Sequence, residues 1–296
     1  MIRALYGVPA PAKINWFVHV LGRRADGYHE LQTVFQFIDW CDRIDFVRRD
    51  DGVVERSGGA GLPDDDLCVR AARALQARTG CGLGVSMRLH KSIPAQAGLG
   101  GGSSDAASTL LALNRLWRLG LTRAELQALA LGLGADVPVF VFGRNAFAGG
   151  VGEQLRAVEL PAWDVLVGWP GQGLSTAAVF GDAALRRDGA KLDADDFVAA
   201  QRAAGSMPAL EFGRNDLQPV AMARLPAMAA LHAWLAARGH GAPRMSGSGS
   251  ALFVRAADAV DGSAVPAHWR VRACRALTRH PLCDWADDGA VGARAT

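Results

Sequence analysis

The chain has 296 residues, of which 50% are hydrophobic and 21% are charged, with a formal net charge of +3. This length is enough for two domains of ordinary size, and the composition is that of a globular protein. The basic pairs Arg23-Arg24 and Arg48-Arg49 are too sparse to predict a nucleic-acid surface.

Cysteine content and hydropathy indicate a cytoplasmic protein without a membrane role. The number of cysteines is odd and C-x-x-C is absent, so neither a disulfide framework nor a zinc site is expected. The longest apolar run, residues 128–142, is too short to span a bilayer and contains Asp136. Near the N-terminus, Lys13 and Asn15 interrupt the apolar stretch that a secretory signal would need.

Alternation over residues 12–20 predicts a strand with one buried face, which places Lys13 and Asn15 side by side. Two further short strands are predicted at 31–38 and 44–47, joined by residues 39–42. Residues 50–64 are rich in Gly and Asp and predict a loop. A helix is expected over residues 66–77.

A strand predicted over residues 85–90 leads into a glycine loop, residues 93–105, and apolar residues at helical spacing follow until Gly120. A glycine loop that enters a helix presents unpaired N–H groups and a positive dipole end, so this segment predicts a phosphate site. Neither G-x-x-x-x-G-K-[ST] nor G-x-G-x-x-G fits these residues. The alternative is a flexible Gly/Ser linker.

Thr122 and Glu125 form a capping-box pattern that predicts a second helix, ending at residues 132–134. Residues 139–142 are apolar and of strand type. We place a domain boundary near residue 159, which gives domains 1–158 and 159–286 and a tail 287–296. In the second domain we expect strands at 165–167 and 251–254, a polar loop at 186–196 and a helix over 228–238.

Four segments have one explanation in common: residues 11–15, the glycine loop, residues 134–138 and residues 246–250. In order and sequence they resemble the GHMP kinases, named for galactokinase, homoserine kinase, mevalonate kinase and phosphomevalonate kinase. The resemblance covers nearly the whole chain. In combination, residues 24–33, the G-L-G-G-G-S-S-D loop at 98–105 and residues 214–219 narrow the resemblance to members whose acceptor is a methylerythritol unit that carries a cytidine diphosphate.

The resemblance implies a two-domain α/β (α+β) fold, with a ribosomal S5-like N-terminal domain, a ferredoxin-like C-terminal domain and the active site in the cleft between them. It implies ATP with Mg²⁺ as phosphoryl donor, without a dedicated protein cage for the metal. The acceptor would be the free 2-hydroxyl of the cytidine diphosphate methylerythritol substrate. We expect a monomer or weak homodimer and no nucleic-acid partner.

The resemblance implies a catalytic pair of Lys13 and Asp136. Asp136 has strongly apolar sequence neighbours, where an unpaired carboxylate would be unfavourable, and the family supplies Lys13 as its partner. Asp136 would orient the acceptor hydroxyl and take its proton late, since phosphoryl transfer depends mainly on positioning and charge neutralisation. The alternatives are a turn residue before Pro138 and a surface lysine on an edge strand.

ATP would be held by the loop, with Ser103 and Ser104 adding hydroxyl donors or, alternatively, capping the helix. Asp105 lies in the first helical turn and is interpreted as structural. Relatives tend to carry glycine at the positions of Gln96 and Ala97, so a different path is expected for the first half of the loop. The predicted ATP-binding residues are Pro94, Ala95, Gln96, Ala97, Gly98, Leu99, Gly100, Gly101, Gly102, Ser103 and Ser104.

The resemblance also assigns contacts to the cytidine part, where an aromatic ring offers a stacking face and a histidine offers directional hydrogen bonds. For Phe180 a place in the core is the alternative, and for the 246–250 segment a plain turn. The predicted substrate-binding residues are Asn15, Tyr28, His29, Thr176, Phe180, Gly247 and Gly249.

Three other functions compete with this interpretation. Another kinase of the superfamily, acting on homoserine or a mevalonate derivative, would have no base to contact Tyr28 and His29. A nucleotide-binding sensor without catalysis would not need both Lys13 and Asp136. A nucleic-acid-binding role is the weakest of the three, because fold does not fix function and basic clusters are missing.

Overall fold

A computed structural model describes residues 2–205, 210–257 and 265–288. In these ranges a six-stranded sheet is followed along the chain by a four-stranded sheet. The first sheet contains β1 (Ala4–Arg23), β2 (His29–Arg49), β3 (Val54–Gly58), β4 (Gly84–His90), β5 (Ala146–Gly149) and β6 (Gln154–Ala157). The second contains β7 (Asp164–Trp169), β8 (Gly239–Met245), β9 (Leu252–Ala256) and β10 (Arg270–Arg275), in the order β10-β7-β9-β8.

Strand β2 pairs with three other strands of the first sheet. It pairs with β1 along nearly its whole length, with β5 at Thr33–Phe35 and with β4 along Arg43–Arg49. The prediction of two short strands at 31–38 and 44–47 is therefore wrong, because pairing with β1 continues through a register shift between Ile38 and Cys41. The predicted loop at 50–64 is also wrong in part, since β3 lies within it and pairs in parallel with β4.

Two predicted helix starts are confirmed by their caps. The Asp66 carboxylate accepts from the main chain at the start of α1, and Thr122 with Glu125 forms the predicted capping box on α3. The helices of the first half are α1 (Leu67–Thr79), α2 (Gly101–Leu116), α3 (Arg123–Leu133) and α4 (Val137–Phe142). Those of the second half are α5 (Thr176–Phe180), α6 (Ala194–Ala204), α7 (Gln218–Arg224) and α8 (Ala227–Ala236).

Helix α4 replaces the strand predicted over residues 139–142. Pro138 occupies its first turn, where a proline suits a helix. Its first five residues are buried, so the sequence shows no alternation that would separate a short buried helix from a strand. Helix α6 similarly begins inside the loop predicted at 186–196. None of the described helices is both long enough and apolar enough to cross a membrane.

Strand β1 is buried on both faces, whereas the sequence predicted one. Trp16 and Phe17 lie in a core cluster that also contains Trp163 of the second half. The indole nitrogens of Trp16 and Trp163 each lie 2.9 Å from the Gln36 Oε1 atom, to which both donate. This shared acceptor links the two halves of the chain. It also gives a structural role to Trp163, for which the sequence alone suggested none.

Residues 277–288 return from the second sheet to the first half of the chain. Leu282 and Ala286 join the core cluster that underlies α1–α4. The buried Arg123 guanidinium donates to the main-chain carbonyls of Cys283 and Ala286 and pairs with the Asp288 carboxylate. Of the predicted tail at 287–296, residues 289–296 lie outside the described ranges. The other two contact Arg123, through the Asp287 carbonyl and the Asp288 carboxylate.

Candidate active site

A cavity of about 1190 Å³ is lined by residues of both halves of the chain. Ser104 is the one predicted site residue that does not line it; its side chain is fully buried and its Oγ has no hydrogen-bond partner among the described residues. The predicted site residues that do line it are Lys13, Asn15, Tyr28, His29, Pro94 to Ser103 without a gap, Asp136, Thr176, Phe180, Gly247 and Gly249.

Lys13 is buried, with 2% of its side chain exposed, and its ammonium group meets three oxygens. Nζ lies 2.5 Å from Asn15 Oδ1, 2.9 Å from the Gly98 carbonyl and 3.4 Å from Asp136 Oδ2. A buried ammonium is stable only when its donors are paired. Here the three partners fix its position against the glycine loop.

Asp136 stands at the residue before α4, and 38% of its side chain is exposed. The sequence predicted an apolar surrounding for this carboxylate, and that prediction is wrong. Its apolar neighbours belong to α4 and are buried in the core, whereas Asp136 lines the cavity. The carboxylate is therefore accessible to a ligand while it contacts Lys13.

The glycine loop leads directly into α2, whose N-cap is Gly100 and has no side-chain cap. Ser103 and Ser104 lie inside the first turn, so the capping alternative for them is wrong. The first N–H groups of a helix have no partner within it. Gly100 to Ser103 line the cavity, which places this donor set and the positive end of the helix dipole at the cavity wall.

Gln96 has a φ of 51°, in the left-handed region that a side chain normally disfavours. The altered path expected from a side chain at this position is not seen at Gln96 itself, which keeps a conformation that suits glycine. Its carbonyl accepts from Leu174 N at 3.2 Å. Ala97 lies outside the left-handed region.

The segment 246–250 packs directly on the glycine loop. Ser246 Oγ donates to the Gly98 carbonyl at 2.9 Å and accepts from Asn15 N at 3.3 Å. A Cβ at Gly98 would lie 2.1 Å from the Ser246 carbonyl oxygen, and one at Gly247 would lie 3.2 Å from Lys13 Nζ. This close approach requires glycine at position 98. Through it the glycine loop and the 246–250 segment both come into contact with Lys13 of the 11–15 segment.

Two further residues position this centre and were not assigned roles from the sequence. Asn215 Nδ2 donates to the carbonyls of Met245 and Gly247, each at 2.8 Å. Thr33 Oγ1 accepts from Asn15 Nδ2 at 2.8 Å. Asn215 lies in the 214–219 motif and Thr33 is the last residue of the 24–33 motif, so both motifs were usable signals.

At another part of the cavity wall an aromatic group is assembled. The rings of His29 and Phe180 are 5.1 Å apart and tilted by 32°, and Tyr28 is 64% exposed. Phe180 also packs on the core cluster of the second half. It therefore belongs both to the core and to the cavity wall, and the two interpretations of this residue are compatible. Thr176 Oγ1 lies 2.9 Å from Ser248 Oγ, which links α5 to the 246–250 segment.

Lys91 and Asp105 also line the cavity. Lys91 lies between the carboxylates of Asp42 and Asp105, with Nζ 2.6 Å from Asp105 Oδ2. Burial raises the pKa of Asp105 to about 7. Asp42 Oδ1 also accepts from the main-chain nitrogens of Ser92 and Ile93, at the turn from β4 into the loop. These contacts agree with a structural role for Asp105.

Comparison with known proteins identifies the chain. The family described as GHMP kinases N terminal domain matches residues 66–144. A 4-diphosphocytidyl-2-C-methyl-D-erythritol kinase of Delftia acidovorans is 50% identical over 293 residues, which cover 97% of this chain and 99% of the relative. The kinase of the same name from Cupriavidus necator is 52% identical over 281 residues, covering 93% and 94%.

Solved structures agree with these relatives. A crystal structure of 4-(cytidine 5'-diphospho)-2C-methyl-D-erythritol kinase, 35% identical, superposes with a TM-score of 0.74 over 90% of this chain and 98% of that one. A mevalonate kinase, 12% identical, superposes with a TM-score of 0.65 over 92% and 98%, and shows the shared fold alone.

The chain is thus a member of the GHMP kinases, and the two-domain α/β fold expected of them is confirmed. It is an enzyme that transfers a phosphoryl group. Within the superfamily it belongs to the 4-diphosphocytidyl-2-C-methyl-D-erythritol kinases.

Proposed function

We propose that this chain transfers the γ-phosphoryl group of ATP to the free 2-hydroxyl of 4-diphosphocytidyl-2-C-methyl-D-erythritol, in the non-mevalonate route to isoprenoid precursors. The observation that carries the proposal is the single cavity that the Lys13–Asp136 pair, the glycine loop and the Tyr28–His29–Phe180 group all line. The relatives' names supply the substrate.

The triphosphate binds along residues 94–104 in this proposal. The free N–H groups at the start of α2 and the helix dipole would hold the β- and γ-phosphates. Ser103 adds a hydroxyl from the cavity wall. Ser104 supports the loop structurally and does not contact the phosphates, since its side chain is fully buried and its N–H donates to the Gly100 carbonyl at 2.8 Å.

The residues present fit a Mg²⁺ ion that is held mainly by the phosphates. Among the described residues no group of three or more His, Cys, Asp or Glu side chains could hold a metal. Mg²⁺ in kinases commonly takes one or two carboxylates with substrate phosphates and water, and Asp136 and Ser103 line the same cavity. When bound, the ion would neutralise phosphate charge.

Asp136 receives the acceptor hydroxyl and orients its oxygen toward the γ-phosphorus. As the new O–P bond forms, the bond from the γ-phosphorus to the β–γ bridging oxygen breaks and ADP leaves. The hydroxyl proton passes to an Asp136 oxygen late in this step, because the transition state is loose. Lys13 keeps Asp136 oriented, 3.4 Å away, and offsets charge near the transferred group.

The cytosine ring lies in this proposal against Tyr28 and Phe180, with the His29 side chain and main chain supplying hydrogen bonds. The exposure of Tyr28 leaves its ring free to stack. Asn15 and Thr176 contact the substrate between the base and the reacting hydroxyl. The backbone amides near Gly247 and Gly249 approach the phosphate region.

We also propose domains 1–158 and 159–286, with residues 287–296 as a tail, since the first sheet ends at Ala157 and the second begins at Asp164. Residues 277–288 belong spatially with the first domain. A cytoplasmic location, a monomeric or weakly dimeric state and the absence of a nucleic-acid partner are further parts of the proposal, supported by the composition.

The deciding experiment measures ADP release with Mg-ATP and the cytidylyl methylerythritol substrate, homoserine or mevalonate. We expect turnover only with the cytidylyl substrate, lost in Asp136→Ala. Tyr28→Ala should raise KM for that substrate and leave KM for ATP nearly unchanged. Turnover with another alcohol would refute the substrate assignment. ATP binding without turnover on any alcohol would favour a nucleotide sensor.

A further inference from the structure

Arg187 lines the cavity beside the aromatic group, and its guanidinium donates four hydrogen bonds from its five N–H groups. Its Nε donates to His29 Nε2 at 3.1 Å. Its Nη1 donates to the Leu185 carbonyl at 3.0 Å, and its Nη2 donates to the carbonyls of Phe180 and Asp182, each at 3.0 Å. One side chain therefore contacts both members of the His29–Phe180 ring pair.

The contact with His29 determines where the imidazole carries its proton. An arginine Nε has a single hydrogen and no acceptor capacity, so His29 Nε2 must offer a lone pair. The neutral ring then carries its proton on Nδ1. Among the described residues Nδ1 has no hydrogen-bond partner, so this donor is available to a ligand in the cavity that His29 lines.

The charged groups around the imidazole act in the same direction. Burial, Arg187 and Arg23 all lower the pKa of His29. The imidazolium form could not accept from Arg187 Nε at all. The ring is therefore held neutral, with a fixed donor side and a fixed acceptor side.

We propose that Arg187 is a positioning residue for nucleobase recognition: it holds His29 as the Nδ1–H tautomer and ties the end of α5, with Phe180, to the same ring. The ligand it prepares for is a pyrimidine that presents an in-plane acceptor, such as O2 or N3 of cytosine, to the Nδ1–H group. This inference rests on the proposed function, since it deepens the assignment of His29 to the base.

The first test needs no activity. Long-range ¹H–¹⁵N spectra of the free, full-length protein distinguish the protonated ring nitrogen from the unprotonated one, and His29→Gln identifies the signal among the 7 histidines. At pH 7.5 we expect the proton on Nδ1, and a mixture of tautomers in Arg187→Met. A proton on Nε2 in the wild-type protein would overturn the proposal.

The second test is kinetic and uses Arg186→Met as the matched control, because Arg186 is an exposed neighbour that pairs only with Asp188 in the described part of the chain. For Arg187→Met we expect KM for the cytidylyl substrate to rise about tenfold, with kcat and KM for ATP within about twofold. Arg187→Lys, which keeps a charge and a donor, should recover part of the loss. Equal effects on both substrates would contradict a role in base recognition.

A pH series separates positioning from general damage to the fold. Without Arg187 the His29 ring takes up a proton more readily, and an imidazolium carries a proton on Nδ1 as well as on Nε2. The KM defect of Arg187→Met should therefore be smaller at pH 6 than at pH 8, where the neutral ring is a mixture of tautomers. A defect that does not change with pH would refute the tautomer argument. Absence of turnover by the wild-type protein would refute the proposed function instead, while the tautomer measurement would still decide the placement of the proton.

Discussion

Lys13 Nζ lies 3.4 Å from Asp136 Oδ2, yet 2% of the lysine side chain is exposed and 38% of the aspartate side chain. The buried partner has its position fixed by the Asn15 Oδ1 and Gly98 carbonyl oxygens. The accessible partner faces the cavity. The two residues therefore have different roles: the lysine supplies a charge at a fixed position, and the aspartate remains able to contact a substrate.

Replacing Asp136 by Asn should lower kcat by about 10²–10⁴-fold, the usual contribution of a positioned general base. KM for either substrate should change by only a few fold, because the amide keeps the shape of the side chain. Asp164→Asn is the matched control, since Asp164 is exposed on β7 and pairs with Arg275. Steady-state kinetics of both variants check this, and a near-normal kcat for Asp136→Asn would exclude Asp136 as the base.

Lys13→Met should be less stable than the wild-type protein as well as inactive. The substitution removes the ammonium donor from the Asn15 Oδ1 and Gly98 carbonyl oxygens. The Gly98 carbonyl keeps the Ser246 hydroxyl as a donor, but Asn15 Oδ1 loses its 2.5 Å partner, and a buried unpaired polar group costs about 1–3 kcal/mol. Urea unfolding measures the loss, with the exposed Lys191→Met as the control. Wild-type stability in Lys13→Met would show that these two oxygens do not depend on the ammonium group.

Gly98→Ala should impair the site more than backbone strain alone predicts. Gly98 has a φ of 74° and its Cβ would lie 2.1 Å from the Ser246 carbonyl oxygen. Gly120 has a φ of 68° and nothing within 4 Å, so Gly120→Ala reports the strain alone, about 1–2 kcal/mol. We expect Gly98→Ala to lose more stability than Gly120→Ala and most of its kcat. Similar unfolding midpoints would argue against a tight contact between the two loops.

The stability of the protein should fall in acid partly through His280. Burial, followed by the charge of Arg123, lowers the pKa of His280 to about 3. In the unfolded chain His280 binds a proton below the ordinary histidine pKa of about 6.5, whereas in the folded protein it does not. Below pH 6.5 this residue therefore lowers the free energy of unfolding by about 1.4 kcal/mol per pH unit. This destabilisation is absent above pH 7 and grows as the pH falls, until the pKa of His280 in the folded protein is reached.

His280→Asn keeps an acceptor for the Leu282 N–H group and removes the titration. Between pH 7 and pH 5 it should lose about 2 kcal/mol less stability than the wild-type protein. The exposed His240→Asn is the control. Parallel stability profiles for wild type and His280→Asn in urea unfolding would refute this origin of acid sensitivity.

Local signals predicted the elements that local chemistry determines. The capping box at Thr122 and Glu125 and the capping carboxylate of Asp66 each mark a helix start with their own side chains. Helix α4 carries no such signal, because a short segment buried on all sides has no polar face. The continuity of β2 depends on its pairing with β1, which no local pattern contains.

For the candidate site, the motifs predicted which segments come together but not which side-chain contacts hold those segments in position. The cavity includes Lys13, Asp136 and the glycine loop, as the resemblance implied. The accessibility of Asp136 was mispredicted, because the apolar residues beside it turn into the core. Arg187 could not be selected from the sequence, since it lies outside the motifs and its contact with His29 spans 158 positions. Thr33 lies in the 24–33 motif, but its contact with Asn15 is visible only in the structure.

The return of residues 277–288 to the first half of the molecule bears on how the protein is made. Leu282 and Ala286 complete the core beneath α1–α4, and the Arg123 guanidinium finds its carbonyl partners there. Chains grow from the N-terminus, and domains generally fold as they emerge. On the ribosome the first half of the chain therefore cannot complete this core, nor pair the Arg123 guanidinium with these two carbonyls, until residues 277–288 have emerged.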